Sequence, residues 1–300
     1  MQYTVLGKTG LRVSVMGLGG APLSDDFGRR EEAEVTRVVH EAIDCGINLM
    51  DTAPQYGLGV SEERIGRALA GGKRKKVVLA TKAALAAQPY EYKTIIQSAE
   101  QSLGRLRTDW VDLLQLHDVE KQPYELLVKE AIPALCRLRE DGKIRYLGVT
   151  SRDLDLLVRL VETNVFDTVQ FYGRYILMDQ SAEERLLPAA AAADVGVIQG
   201  SVLAMGLLAD SPAPFLEEDT LEKARIAVDQ LAFLRQPGPA GLVEPAMRFS
   251  LSHPPIHVTL TGAASSEQLR QNAALCDGKG IGEEAEAQVR RLFKGHSIFA

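Results

Sequence analysis

The sequence predicts a single α/β domain over residues 1–300, a (β/α)8 TIM barrel with a short amino-terminal β-hairpin. Short apolar runs rich in β-branched residues alternate with longer amphipathic segments, which is the pattern of parallel strands separated by helices. Eight such runs occur, and eight is the number of strands that closes a barrel. A chain of this length can hold two domains, but α/β barrels also reach this size as one.

The individual elements follow from these runs. Strands are predicted at Val15–Leu18, Asn48–Asp51, Val77–Ala80, Val111–Leu116, Ile144–Gly148, Thr168–Gln170, Val197–Gln199 and Val258–Thr261. Helices are predicted between them, most clearly at Arg30–Cys45, Tyr92–Arg107, Pro123–Asp141 and Leu154–Glu162. Gly46 and Gly142 follow two of these helices as stop signals. Near the amino terminus, Tyr3–Leu6 and Arg12–Ser14 predict a hairpin that turns at residues 8–10.

A doubly wound open sheet is the alternative architecture for alternating strands and helices. It usually carries a glycine-rich turn after its first strand, with an acidic residue about 20 positions further on. Gly17–Gly20 follows the first apolar run, but it lacks the third glycine of that motif and a helix directly after it. We interpret this segment, with Gly20, as a place where the backbone closely approaches a ligand.

The composition excludes several classes of protein. A formal net charge of −6 provides no basic face for nucleic acid. Three cysteines far apart argue against a disulfide framework and a clustered zinc site, and they fit a reducing cytoplasm. The five histidines form no spaced cluster, which disfavours a metal-dependent hydrolase. Without a signal-peptide core or a run of about 18 apolar residues, we expect a cytoplasmic protein that does not enter membranes.

Polar side chains follow three consecutive predicted strands at or just past their carboxyl ends. Asp51 ends the second strand and Tyr56 follows it, Lys82 follows the third strand, and His117 follows the fourth. Because the carboxyl ends of barrel strands meet at one face, we expect these side chains to form one site. Each has a structural explanation when taken alone: a helix cap, a loop anchor, an exposed charge or a packed histidine. Their joint occurrence is what indicates chemistry.

Such a group can move a proton to or from an oxygen atom of a substrate. A free tyrosine titrates near pH 10, and an adjacent ammonium lowers that pKa by stabilising the phenolate. A buried aspartate keeps the lysine charged, and a histidine can orient a substrate carbonyl or hydroxyl. Beside a hydride carrier, the group becomes a redox site. We therefore predict that Tyr56, its pKa lowered by Lys82, is the proton-transfer residue of a metal-free oxidoreductase.

The chain resembles the aldo-keto reductase family in motifs that occur in order along most of its length. The most specific are Asp51–Gly66 (DTAPQYGLGVSEERIG), Ala80–Lys82 (ATK), Val111–Asp118 (VDLLQLHD) and Gly142–Thr150 (GKIRYLGVT). The resemblance implies a barrel that binds NAD(P) in an extended form without a Rossmann domain. It also implies the catalytic residues, which are Asp51, Tyr56, Lys82 and His117.

The resemblance further implies a set of cofactor-binding residues. They are Gly20, Thr150, Ser151, Gln170, Gly200, Ser201, Leu203, Ser265, Gln268 and Asn272. Thr150 and Gln170 take the positions that hold the nicotinamide carboxamide, where Ser151 replaces the family's usual asparagine. Gly200 replaces an aromatic residue that commonly stacks on the nicotinamide, so this stacking face is absent or comes from elsewhere.

The residues expected near the adenosine end of the cofactor indicate which of NAD and NADP is preferred. Ser201–Leu203 matches the loop that wraps the pyrophosphate, and Asn272 matches the adenine contact. Family members that prefer NADP place a lysine and an arginine where this chain has Gly262 and Gln268. A phosphomonoester needs cationic donors, so we expect NAD to be preferred over NADP. Arg270 is the candidate that could substitute for them.

Two further segments resemble the sugar 1-dehydrogenase branch of the family, Gly173–Gln180 (GRYILMDQ) and Leu116–Glu120 (LHDVE). That branch includes galactose, fucose and threo-aldose dehydrogenases, with a pyridoxal dehydrogenase as a close relative. The resemblance implies oxidation of the cyclic hemiacetal of an aldose to its lactone with NAD. Arg174 and Tyr175 are candidate substrate contacts.

Two other functions remain open at this point. One is an NADPH-dependent aldehyde or ketone reductase, which runs the same chemistry in the opposite direction. The other is a non-catalytic, cofactor-binding regulatory subunit. In the enzymatic cases the partner is a small molecule, and the sequence leaves its identity, its stereochemistry and the oligomeric state undetermined.

Overall fold

A computed structural model describes residues 1–299, and it begins with the predicted hairpin. Strands β1 (Tyr3–Val5) and β2 (Arg12–Ser14) pair antiparallel. Leu6 and Val13 of the hairpin are buried in one cluster with residues at the start of several barrel strands. The hairpin therefore covers the amino-terminal end of the barrel and leaves the carboxyl-terminal end for a site.

Within residues 1–299, eight parallel strands close into a barrel in the order of the sequence. They are β3 (Met16–Gly19), β4 (Leu49–Asp51), β5 (Val78–Ala83), β6 (Val111–Leu116), β7 (Ile144–Thr150), β8 (Thr168–Tyr172), β9 (Gly196–Gly200) and β10 (Val258–Thr261). Pairing of β10 with β3, with Thr261 opposite Leu18, completes the ring. The predicted (β/α)8 barrel with its amino-terminal hairpin is confirmed.

Several strands extend further toward the carboxyl end than their apolar runs indicate. β5 continues to Ala83 instead of ending at Ala80, β7 continues to Thr150, and β8 continues to Tyr172. The ladder accommodates the polar residues because neighbouring strands continue alongside them, with Lys82 opposite Gln115 of β6. Polar side chains thereby enter the sheet itself at the end where the site lies.

The helices surround the barrel and bury their apolar faces against it. They are α1 (Glu32–Asp44), α2 (Val60–Ala68), α3 (Tyr92–Leu106), α4 (Tyr124–Leu126), α5 (Ile132–Glu140), α6 (Leu154–Val161), α7 (Leu186–Ala192), α8 (Glu218–Gln230), α9 (Val243–Leu251), α10 (Ser266–Ala274) and α11 (Glu283–Phe293). A π-helical turn at Leu127–Ala131 joins α4 to α5, where the sequence predicts one continuous helix. In the part of the chain described, no helix combines the length and apolar character that crossing a membrane requires.

Helix α6 shows how local sequence sets these elements. Asp153 caps its first turn by accepting the Leu156 N–H at 3.0 Å. Leu157, Leu160 and Val161 recur at helical spacing and are buried toward the barrel. The same combination of cap and apolar stripe allows the sequence to predict this helix correctly.

Candidate active site

The four residues predicted to act together meet at the carboxyl end of the barrel. Lys82 Nζ donates to Asp51 Oδ2 at 2.6 Å, to the Thr52 carbonyl oxygen at 2.9 Å and to the Tyr56 hydroxyl at 3.2 Å. Lys82 and Asp51 are only 1% and 2% exposed. His117 packs edge-on against Tyr56, with ring centroids 5.9 Å apart. All three N–H groups of the ammonium are therefore used, and one of them contacts the phenol.

The surroundings of Lys82 keep its ammonium charged. Burial acts to lower the pKa of Lys82, but Asp51 and Tyr56 together outweigh burial and raise it above its ordinary value. Gln115 Nε2 donates to the other carboxylate oxygen of Asp51 at 2.9 Å, which holds that carboxylate in position. A fixed positive charge therefore lies against the phenol at neutral pH.

The pKa of Tyr56 differs from the prediction made from the sequence. Burial raises the pKa of Tyr56 above the ordinary tyrosine value, and the opposing effect of Lys82 is smaller. The carboxylate of Asp51 neutralises much of the ammonium charge, and Asp51 and Asp118 both raise the pKa of Tyr56 further. The expectation of an unusually acidic phenol is therefore wrong for this structure, and Tyr56 carries its proton at neutral pH.

His117 is a neutral hydrogen-bond donor. Burial, with smaller effects from Lys82 and Lys121, lowers the pKa of His117 well below its ordinary value. Its Nδ1 is buried and has no hydrogen-bond partner within residues 1–299. A proton on Nδ1 would be unsatisfied, so the single proton belongs on Nε2. His117 lines the cavity described next, where Nε2 lies 3.8 Å from Asp118 Oδ1.

A cavity of about 890 Å³ opens beside these residues, and Asp51, Tyr56 and His117 contribute to its wall. The rest of the wall comes mainly from the ends of β8 and β9 and from the loops that follow β3, β9 and β10. Two of these loops meet where Phe27 and Phe215 form an edge-to-face contact, with ring centroids 5.4 Å apart. The volume lies near the upper end of the range for small-molecule and cofactor sites.

Half of the predicted cofactor-binding residues line this cavity, namely Gly20, Gln170, Gly200, Ser201 and Leu203. Gln170 Oε1 is buried and has no hydrogen-bond partner in the described residues. A Cβ atom at Gly20 would lie 2.7 Å from the Asp51 carbonyl oxygen, so the bare backbone of glycine is needed there. An unpartnered amide acceptor suits a nicotinamide carboxamide, and these residues therefore fit NAD(P).

The other half does not line the cavity in residues 1–299, contrary to the prediction, and comprises Thr150, Ser151, Ser265, Gln268 and Asn272. Thr150 Oγ1 accepts from the Asp118 N–H at 3.0 Å, and Ser151 Oγ donates to Glu120 at 2.6 Å. Ser265 Oγ accepts the Gln268 N–H and so caps α10. The buried Thr150 and Ser151 are therefore satisfied by neighbouring protein atoms, while Gln268 is exposed at the surface.

Neither predicted substrate contact, Arg174 or Tyr175, lines the cavity. Tyr175 is 1% exposed and stacks on Phe249 and His253, with ring centroids at 5.0 and 4.3 Å. Arg174 Nη1 lies 3.5 Å from the buried Asp179. Contrary to the prediction, other protein atoms enclose the Tyr175 ring and accept hydrogen bonds from the Arg174 guanidinium.

In the segment from Gly262 to Arg270, no cationic side chain is free to bind the 2′-phosphate of NADP within the described residues. A Cβ atom at Gly262 would lie 2.4 Å from Pro22 Cγ, so a longer side chain requires Pro22 to move. Gln268 uses its side-chain oxygen within its own loop, accepting a backbone N–H at 2.9 Å. Arg270, the candidate substitute, pairs instead with Glu41 at 2.9 Å.

Sequence reasoning missed three charged residues of the cavity, Asp26, Arg30 and Asp118. Among the residues of 1–299 that line the cavity, Arg30 is the one lysine or arginine. Its guanidinium donates to the carbonyl oxygens of Pro22 at 3.3 Å and Phe27 at 3.4 Å. No periodicity or motif marks Arg30, whereas the position of Asp118 directly after His117 was a usable signal.

The model of the aldo/keto reductase family matches residues 15–290. The chain belongs to this family. The matched range contains the whole barrel and the proton-transfer site built on Lys82. This aldo/keto reductase is therefore an NAD(P)-dependent oxidoreductase that takes a nucleotide cofactor and a small-molecule substrate.

Several relatives resemble this aldo/keto reductase over nearly their full length. It is 32% identical to L-galactose dehydrogenase of Arabidopsis thaliana, over 98% of this chain and 95% of that protein. It is 30% identical to D-threo-aldose 1-dehydrogenase of a Pseudomonas species, over 88% of this chain and 89% of that protein. The holo form of an aldo-keto reductase from Bacillus halodurans has the same fold, with a TM-score of 0.79 at 27% identity, covering 99% of this chain and 98% of that one.

Proposed function

We propose that this aldo/keto reductase oxidises the cyclic hemiacetal of an aldose to its lactone, with NAD as the hydride acceptor. The observation that carries the proposal is the 3.2 Å contact between the Lys82 ammonium and the Tyr56 hydroxyl beside a cavity of about 890 Å³. The two relatives named as sugar dehydrogenases support an aldose as the substrate class.

The chemistry divides between the cofactor and the side chains. Oxidation removes a hydride from the anomeric carbon and a proton from its hydroxyl, which leaves a C=O bond. Bound NAD supplies the hydride acceptor. In its phenolate form Tyr56 takes the proton, and the Lys82 ammonium stabilises that phenolate beforehand. The Nε2–H of His117 donates to the same substrate oxygen and orients it.

The raised pKa of Tyr56 favours a second candidate, the reduction of aldehydes or ketones. A phenol that keeps its proton at neutral pH can donate it directly to a carbonyl oxygen. Oxidation needs the phenolate, whose fraction grows as the pH rises toward the pKa of Tyr56. Alkaline conditions therefore favour oxidation, and the same four side chains serve both directions.

NAD is the cofactor that the cavity supports better. A 2′-phosphate carries close to two negative charges and needs cationic donors. Pro22 occupies the space beside Gly262, and Arg270 is already paired with Glu41. Without these donors, NADP gains nothing from its extra phosphate at this end of the cavity.

Steady-state assays of the purified protein test both parts of the proposal. We expect NAD reduction with at least one aldose. We also expect a kcat/KM for NAD at least about tenfold above that for NADP, because a charged 2′-phosphate that loses water without gaining a partner costs about 1–3 kcal/mol or more. The panel includes aldoses of both enantiomeric series, pyridoxal, and simple aldehydes assayed with NADH and NADPH. A tenfold preference for NADP overturns the cofactor assignment, and turnover of aldehydes alone favours the reductase. Absence of all turnover supports a regulatory role.

Arg30 provides the positive charge that a dinucleotide needs in this proposal. The hydrogen bonds of its guanidinium in the described residues go to backbone carbonyl groups, so this charge is not neutralised by a bonded carboxylate. Its position in the cavity wall leaves it available to an anionic ligand. The pyrophosphate, which NAD and NADP share, is the group we assign to Arg30.

Arg30→Met is expected to weaken the binding of NADH and of ADP-ribose by about ten- to a hundredfold, since one charge-assisted hydrogen bond contributes about 1.5–3 kcal/mol. Isothermal titration calorimetry measures both affinities directly. Arg29→Met is the matched control because Arg29 is exposed and lies outside the cavity wall. Unchanged affinities for NADH and ADP-ribose in Arg30→Met refute the assignment. If only the affinity for NADPH falls, Arg30 contacts the 2′-phosphate instead of the pyrophosphate.

A further inference from the structure

Asp118 occupies an unusual position in the cavity wall. It follows His117 directly after β6, is 7% exposed, and has a left-handed backbone with φ of 45°. Thr150 Oγ1 holds this conformation by accepting the Asp118 N–H at 3.0 Å. Aspartate and asparagine tolerate this region better than most residues, so the turn presents a short polar side chain beside the proton-transfer site.

The carboxylate of Asp118 has fewer partners than its burial requires. The Tyr172 hydroxyl donates to Oδ1 at 3.2 Å, and His117 Nε2 lies 3.8 Å from the same oxygen. Within residues 1–299, Oδ2 accepts no hydrogen bond and no lysine or arginine forms an ion pair with Asp118. A buried carboxylate is costly unless donors surround it. The missing donors must therefore come from whatever occupies the cavity.

The charges around Asp118 agree with this deficit. Burial and the nearby Glu120 raise the pKa of Asp118, and the opposing effects of Lys121, Lys82 and Tyr172 are smaller. The ammonium of Lys82 already donates its three hydrogen bonds to Asp51, Thr52 and Tyr56, so none remains for Asp118. Within the described residues, no neighbouring side chain therefore supplies the hydrogen-bond donors that the Asp118 carboxylate still lacks.

Hydroxyl groups are the donors that match this arrangement. A carboxylate can accept one hydroxyl on each oxygen, and such charge-assisted bonds are about twice as strong as neutral ones. Tyr172 donates to Asp118 and keeps its own lone pairs free, so Tyr172 can accept a further hydroxyl proton. Both residues line the cavity. Together they present acceptors suited to a polyhydroxylated molecule and offer little to a simple aliphatic aldehyde.

We propose that Asp118, held by Tyr172, recognises substrate hydroxyl groups next to the reacting carbon and so selects polyhydroxylated substrates. The 3.8 Å separation of His117 Nε2 and Asp118 Oδ1 places this recognition beside the group that orients the reacting oxygen. The inference rests on the proposed aldose oxidation and names a residue that determines its specificity.

Asp118→Asn tests the role of the charge without disturbing the turn, because asparagine also tolerates a positive φ. We expect the ratio of kcat/KM for an aldose to that for a simple aliphatic aldehyde to fall about ten- to a hundredfold. Tyr172→Phe should lower the same ratio by a smaller factor, since it removes one supporting hydroxyl. Asp155→Asn is the matched control, because Asp155 lies on α6 with a side chain that is 75% exposed.

Competitive inhibition separates failure of this inference from failure of the proposed function. If the wild type reduces aldehydes but oxidises no aldose, the aldose oxidation is refuted. Inhibition of aldehyde reduction by aldoses then reports on Asp118 directly. Weaker inhibition in Asp118→Asn, by about ten- to a hundredfold in the inhibition constant, supports hydroxyl recognition. An unchanged ratio and an unchanged inhibition constant overturn it, as does an equal loss of activity on aldoses and aldehydes.

Discussion

Tyr56→Phe is expected to lower kcat by about 10²–10⁴-fold, the usual contribution of a positioned proton-transfer group. Phenylalanine keeps the ring that packs against His117 and removes only the hydroxyl that Lys82 contacts at 3.2 Å. The affinity for NADH should change by no more than about twofold, or about 0.4 kcal/mol. Steady-state turnover and calorimetric titration of the same preparation give the two quantities.

A second tyrosine provides the control for this experiment. Tyr124 lies on α4, outside the barrel, and its ring packs under the guanidinium of Arg159 at 4.0 Å. Tyr124→Phe removes a hydroxyl of the same kind far from the cavity, so its kcat should equal that of the wild type. Undiminished turnover in Tyr56→Phe would show that the proton moves through another group.

Lys82→Met is expected to abolish turnover and to lower the free energy of unfolding by about 3–5 kcal/mol, the cost of breaking a buried ion pair from one side. Methionine has a similar length but no charge, which leaves the Asp51 carboxylate at 2% exposure without its cation. Urea unfolding followed by circular dichroism measures the change as a lower midpoint. Lys121→Met, at an exposed position near the site, is the stability control.

A double variant separates the two roles of Lys82. Adding Asp51→Asn to Lys82→Met removes the unpaired charge, so much of the lost stability should return. Turnover should not return, because no ammonium remains to stabilise the Tyr56 phenolate. If Lys82→Met unfolds at the same urea concentration as the wild type, the ion pair does not carry the energy that its burial implies. If it also turns over normally, the proton-transfer site is misassigned.

The barrel and its four central residues were accessible from the sequence because their signals are local. Each strand is a short apolar run, and the longer helices carry an apolar stripe, to which α6 adds a side-chain cap. Asp51, Lys82 and His117 follow from position alone, since the carboxyl ends of parallel barrel strands meet at one face. The 2.6 Å contact between Lys82 and Asp51 agrees with that expectation.

Which loop residues line the cavity depends on distances between segments that no sequence pattern reveals. Arg30 joins the cavity because the loop after β3 folds back over it, and Tyr175 leaves the cavity because Phe249 and His253 enclose its ring. Loop residues have neither a period nor a face, so their spacing does not reveal where they point.

The pKa of Tyr56 is a property of the site that the sequence did not determine. Residue types and strand ends were enough to place an ammonium beside a phenol. Whether the phenol becomes more or less acidic depends on how far burial outweighs that ammonium, which Asp51 already neutralises. Burial is a property of the packed chain as a whole, because it comes from residues distant in sequence, and only the folded structure determines it.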